Sequence, residues 1–276
     1  MSPAAVTDLN GRGVLMAIGG GEDKIKERRV LAHFFNLAGG QQARIAIIPA
    51  ASTQPDQTGE LYQLLFRDLG VAEIEVFHIR SRADAQDPGR AAALRQVSAV
   101  FLSGGNQLRL MSLLGGTIMA QTIRRLNANG VVVAGTSAGA SALSQHMIAF
   151  GRAGEWPSQR MVQLTPGLGL TNRVVIDQHF QNRGRTGRLL IAVAYNPFLI
   201  GLGIDEDTAA VLDPQNRLHI IGRSSVVVID GSELDYTNVG DVPRHEAVAM
   251  TNIRLHVLTD GFSYDLMSRQ VEPFLP

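Results

Sequence analysis

Short apolar runs that end in glycine or proline recur along the chain, with longer helix-compatible segments between them. This is the pattern of βαβ units feeding a parallel sheet. Strands are expected from Gly13 into the glycines at 19–21, from Ala43 to Ala50, over Glu73–Ile79, from Ala99 to Gly105 and from Val131 toward Gly139. Helices are expected over Asp23–Leu37, Gln57–Leu69, Pro88–Gln96 and from Gln107 to Asn127. Runs such as Ile45–Ile48 and Val131–Ala134 are continuously apolar instead of alternating, as strands covered on both faces require.

Beyond Ser141 the rhythm loosens. Gly201–Asp213, Arg217–Gly222 and Ser225–Asp230 read as successive strands joined by tight turns, an antiparallel extension of the same sheet. No linker, repeat or low-complexity tract interrupts the chain. The expectation is one α/β domain over residues 1–276, with 1–12 as a flexible tail. Its architecture is a three-layer sandwich around a mostly parallel sheet with an antiparallel C-terminal extension.

Composition removes several classes of function. With 276 residues, 45% of them apolar, the chain has material for a sizeable core, so disorder is excluded. Its 25 basic and 25 acidic residues cancel, without the excess a nucleic-acid binder carries. There is no cysteine, which forbids disulfides, thiolate metal sites and thiol nucleophiles. The uncharged stretch Leu126–Gly151 is interrupted by Asn127, Asn129, Gln145 and His146, and Leu189–Ile204 is cut by Asn196-Pro197, so no membrane span is expected. The first residues lack the basic and apolar regions of a signal peptide, and a soluble, cytoplasmic protein is the expectation.

In open α/β sheets ligands bind beyond the carboxyl ends of the strands, so the turns there come first. Gly135-Thr136-Ser137-Ala138-Gly139 fits G-x-S-x-G between a strand and a helix expected over Ala138–Gln145. Small flanking residues let the chain bend sharply and leave the Ser137 hydroxyl open to attack. The competing reading is a serine that merely caps a helix. The Ala138 N–H can donate to a developing oxyanion, and Ser103-Gly104-Gly105-Asn106 ends the neighbouring strand, offering the Gly105 or Asn106 N–H as second donor. Gly19-Gly20-Gly21-Glu22-Asp23 lacks G-x-G-x-x-G spacing, and its acids would repel phosphate, so it reads as a tight turn and helix start.

Seven histidines are available as base, and His179 stands out because Asp177-Gln178-His179 follows the apolar run Val174–Ile176. The orienting acid is sought in Asp205-Glu206-Asp207, where Glu206 is set on the opposite pleat face from its neighbours. The same acids could bind a hard metal or form a solvated turn, but no ligand motif accompanies them, and neither metal nor other cofactor is expected. Arg183, Arg185 and Arg188 concentrate guanidinium groups near His179 and suit a ligand with carboxylates, while Asp177 suits a cationic group.

Together GGGED, SGGNQLRL, GTSAGAS, DQHFQNRGRTGRL and GIDEDTA resemble the cyanophycinases, serine peptidases related to the aspartyl dipeptidases. The resemblance spans about Gly13 to Leu212. It implies Ser137 as nucleophile, His179 as base and Glu206 as orienting acid, with substrate contacts from Gln107, Asp177, Gln178, Arg183, Arg185 and Arg188. Gln107 carries no signal of its own. The implied partner is cyanophycin, a polyaspartate backbone with arginine on each side-chain carboxyl, cleaved to β-Asp-Arg dipeptides by an exopeptidase. A homodimer is implied as well. Asn106 departs from the aspartate expected in many relatives. An α/β-hydrolase ordering, with Asp205 or Asp230 followed by His245 or His256, is the poorer arrangement. A dipeptidase for small aspartyl peptides and a non-catalytic ligand-binding relative are the alternative functions.

Overall fold

The structure is a computed structural model that describes residues 2–6, 11–154 and 156–273. The expected flexible tail over 1–12 therefore falls partly outside the described residues. The parallel half of the larger sheet contains β1 (Leu15–Ile18), β2 (Arg44–Ile48), β3 (Glu73–Val76), β4 (Ala99–Leu102) and β5 (Val132–Thr136), in spatial order β1-β5-β4-β2-β3. A hairpin, β6 (His146–Gly151) and β7 (Val162–Pro166), follows. Strands β8 (Val174–Gln178) and β9 (Ile200–Ile204) are parallel neighbours in a second sheet.

After β9 the chain crosses back. β10 (Thr208–Leu212) pairs antiparallel with β1, and β11 (Arg217–Gly222) with β10, which is the expected antiparallel extension. β12 (Ser225–Asp230) then leaves for the second sheet, where it pairs with β9. After the short pair β13 (Tyr236–Thr237) and β14 (Met250–Thr251), β15 (Arg254–Thr259) completes that sheet, in order β15-β12-β9-β8. β16 (Phe262–Asp265) and β17 (Gln270–Pro273) extend the larger sheet beyond β11. A single sheet was the expectation, and the structure has two main sheets.

The apolar runs are explained by burial on both faces. Met16 and Ile18 of β1 pack with α1 (Arg29–Ala38) and α2 (Pro55–Asp68), whereas Leu15 and Ala17 face the opposite layer. That layer contains α3 (Arg82–Ala85), α4 (Pro88–Leu94), α5 (Gln107–Leu114), α6 (Ile118–Ala128) and α7 (Ala138–Ala142), together with one face of the second sheet. The second sheet's other face is covered by α8 (Thr186–Tyr195) and the β6–β7 hairpin. Three layers hold over the parallel half, and sheet packs on sheet over the antiparallel half.

Two expected helices are altered by local chemistry. The Asp23 carboxylate accepts from the backbone N–H groups of Ile25 (2.9 Å), Lys26 (3.0 Å), Glu27 (2.7 Å) and Arg28 (3.2 Å), so residues 23–28 form a turn. The helix starts only at Arg29, after Arg28 takes a left-handed conformation with φ 49°. The stretch 107–127 divides at Gly115 and Gly116, and the Thr117 hydroxyl caps the second helix by accepting from Ala120 N–H at 3.4 Å.

Candidate active site

β1, β5 and β4 end side by side, and the turns that follow them build one edge. Ser137 follows β5 with φ 52° and ψ −113°, a strained conformation for a residue with a Cβ. Its glycine flanks are required sterically: a Cβ on Gly135 would overlap the Gly139 backbone, and one on Gly139 the Leu102 carbonyl. A Cβ on Gly104 would lie 3.2 Å from that of Ser137, so the turn after β4 sits directly beside the serine.

His179 follows β8, the second sheet's parallel edge, and also takes a left-handed conformation, with φ 48°. Ser137 Oγ and His179 Nε2 are 2.9 Å apart. On the ring's other side His179 Nδ1 lies 2.5 Å from Glu206 Oε1, which fixes the tautomer that presents an acceptor nitrogen to the serine. The Glu206 side chain comes from the crossing between β9 and β10, and its neighbours point elsewhere. Asp205 accepts from Gln181 N–H and the Ser224 and Ser225 hydroxyls, and Asp207 from Asp23 N–H. The alternative order finds no support here: Asp230 is held by Tyr264 and Arg269, and His245 by Arg152.

The glycine turn after β4 corrects one expectation. Asn106 N–H donates to Ala51 O at 2.9 Å, and its side-chain oxygen caps α5 by accepting from Arg109 N–H at 3.1 Å. With its amide committed, Asn106 offers no oxyanion donor. Among the described residues neither the Gly105 nor the Ala138 N–H donates to an acceptor. Gly105 has φ 141°, and a Cβ there would overlap the Ala51 carbonyl, so glycine is needed for this approach.

Charges around His179 are arranged differently from the expected ring of substrate contacts. Asp177 is fully buried and bridges Arg188, with Nε at 2.5 Å from Oδ2, and Arg185, with Nη1 at 3.2 Å from Oδ1. Arg185 also donates to the Gln178 backbone carbonyl and to Gln178 Oε1, and Arg188 to Gly151 O. Burial, only partly offset by Asp177, pushes the Arg185 guanidinium down to about 10. Buried charges are tolerated when paired, and these pair with each other. Asp177, Gln178, Arg185 and Arg188 therefore tie β8, α8 and the β6–β7 hairpin together instead of presenting free charge to a ligand. Arg183 is exposed, and Gln107 is half-buried with its Nε2 donating to Ile148 O at 3.1 Å.

The fold and this Ser–His–Glu chain have the form of a serine hydrolase on an α/β sandwich. The chain belongs to peptidase family S51, whose model matches residues 15–221. It is 42% identical over 262 residues to a cyanophycinase of Synechococcus elongatus, covering 95% of this chain and 81% of that one. To the cyanophycinase of Geminocystis herdmanii it is 40% identical over 260 residues, covering 94% and 96%. A crystal structure of a peptidase from an acI-B1 actinobacterium superposes with TM-score 0.66 at 24% identity, over 93% of this chain and 98% of that one. A putative peptidase E of Listeria monocytogenes does so with TM-score 0.54 at 18% identity, over 77% and 100%. These two likenesses concern the fold.

Proposed function

We propose that the protein is a cyanophycinase, a serine exopeptidase that releases β-Asp-Arg dipeptides from cyanophycin. The observation that carries the mechanism is the continuous chain from Ser137 Oγ through His179 to Glu206, at 2.9 Å and 2.5 Å. Ser137 Oγ attacks a backbone carbonyl of the polyaspartate chain while His179 Nε2 takes the hydroxyl proton. The Gly105 and Ala138 amides receive the oxyanion. His179 returns the proton to the leaving amine as the C–N bond breaks, leaving an acyl ester on Ser137. Water then attacks that ester with the same base, releasing a carboxylate and the free serine. Glu206 keeps the imidazole oriented and offsets its positive charge in both halves.

Identity to curated cyanophycinases over nearly the whole chain supports the substrate. The exposed guanidinium of Arg183, four residues beyond His179, supports it too, since each arginine carried by the polymer ends in a free carboxylate. Incubation with a turbid cyanophycin suspension tests the reading. The parent protein is expected to clear it with release of dipeptide, and Ser137→Ala to lose about 10⁶-fold in rate. Clearing by both would remove Ser137 from the mechanism, and clearing by neither would favour a ligand-binding protein.

A further inference from the structure

The turn 19–23 has no assigned role of its own, yet it and the adjoining Ile18 bond to every segment that carries the Ser–His–Glu chain. Ser137 N–H donates to Ile18 O, His179 N–H to Gly19 O and Asp207 N–H to Gly20 O, each at 2.9 Å. A Cβ on Gly20 would overlap the His179 ring, and one on Gly21 would lie 3.0 Å from the Glu206 carboxyl. One acidic side chain of this turn is buried, Glu22, at 3% exposure. Its Oε2 accepts from the Thr136 hydroxyl at 2.8 Å, and Thr136 is the residue that enters the Ser137 bend. Its Oε1 accepts from the Tyr62 hydroxyl and lies 3.0 Å from Lys24 Nζ. Burial and the neighbouring carboxylate push the Tyr62 phenol well up, so it stays a donor.

We propose that Glu22 is a positioning residue for the nucleophile. By holding the Thr136 hydroxyl it ties the backbone that enters Ser137 to the same turn on which His179 rests, and so sets the distance between Oγ and Nε2. The serine's conformation is strained, and a bend of that kind persists only where its surroundings hold it. A carboxylate with two oxygens can serve two hydroxyl donors and a cation at once, which suits this position. The inference rests on Ser137 being the nucleophile. The competing role for Glu22 is a satisfied core carboxylate that contributes stability alone.

Steady-state kinetics on Glu22→Gln, Thr136→Val, Thr136→Ser and the double variant Glu22→Gln/Thr136→Val separate the two roles. A displaced reacting group costs up to about 10²-fold in rate, so Thr136→Val and Glu22→Gln are expected to lower kcat by about 10- to 100-fold, with KM within about twofold. The amide of Glu22→Gln has one acceptor oxygen where the carboxylate had two, so only one of the two hydroxyls can still donate to this side chain. The double variant is expected to be no slower than the slower single variant, because both remove one interaction. Thr136→Ser keeps the hydroxyl and should recover most of the rate that Thr136→Val loses. Thermal melts give the folded fraction to which each kcat is normalised. An unchanged normalised kcat in Glu22→Gln, or losses that multiply in the double variant, would overturn the proposal. Ser137→Ala run alongside distinguishes the failures: if it still clears cyanophycin the nucleophile assignment falls, whereas full kcat in Glu22→Gln removes only the role of Glu22.

Discussion

Two charged residues six positions apart in the chain, Asp177 and Arg183, show how differently the same neighbourhood can use its charges. Asp177 is completely buried and holds two guanidinium groups, while Arg183, four residues beyond His179, is exposed. Removing one partner from a buried ion network leaves charges uncompensated. Asp177→Ala is therefore expected to lose roughly 3–5 kcal/mol of stability in urea unfolding. Arg183→Ala should melt like the parent yet raise KM for cyanophycin by about tenfold or more, the loss expected when a charged hydrogen bond to substrate disappears. A stability loss in Arg183→Ala equal to that of Asp177→Ala would assign Arg183 to the frame. The sequence makes the concentration of charge after His179 legible, but not the pairing. A run of acids and arginines does not say which of them meet one another once α8 folds back on β8.

At the level of elements, the parallel strands β1, β2, β4 and β5 were legible because both of their faces are buried and they spell nearly unbroken apolar runs, whereas the edge strand β3, EIEV, alternates. The second sheet was not legible. Gly201–Asp213 reads as one strand, and Asp205, Glu206 and Asp207 look like a polar strand end. In the structure these acids are a crossing in which Asp207 takes φ 51° and sends the chain from one sheet to the other. That crossing is why Glu206 meets His179. The turn before α1 was misread for a related reason: Asp23 competes with the helix for its first amides, a local bond that propensity does not reveal. Those backbone donors hold the Asp23 carboxyl well below the usual carboxylate range. Because its folded pKa is depressed, the stabilisation is full above the unfolded value of about 4 and is lost as pH falls through the folded one. Thermal midpoints of Asp23→Asn and the parent are thus expected to differ most near neutrality and to converge on acidification below about pH 4. A gap that stays constant down to pH 3 would show that the ionised carboxyl is not what holds the turn.

Across the whole molecule, the site is assembled from segments far apart in sequence: 42 residues separate Ser137 from His179, and 27 separate His179 from Glu206. The rule that ligands sit beyond the carboxyl ends of parallel strands made Ser137 and the Gly104-Gly105 turn legible. It could not rank seven histidines, and the family motif around His179 did so instead. What its residues did not reveal was the role of the turn 19–23, whose hydrogen bonds reach Tyr62, Thr136, His179 and Asp207. The central claim is that one serine is made nucleophilic by one imidazole steadied by one carboxylate. A fluorophosphonate reacts covalently with such a serine, so intact mass and peptide mapping after brief exposure test the claim most directly. A single adduct on Ser137, formed far more slowly in His179→Ala and more slowly in Glu206→Gln, is the expected result. An adduct on another residue, or labelling of Ser137 at undiminished rate without His179, would contradict it.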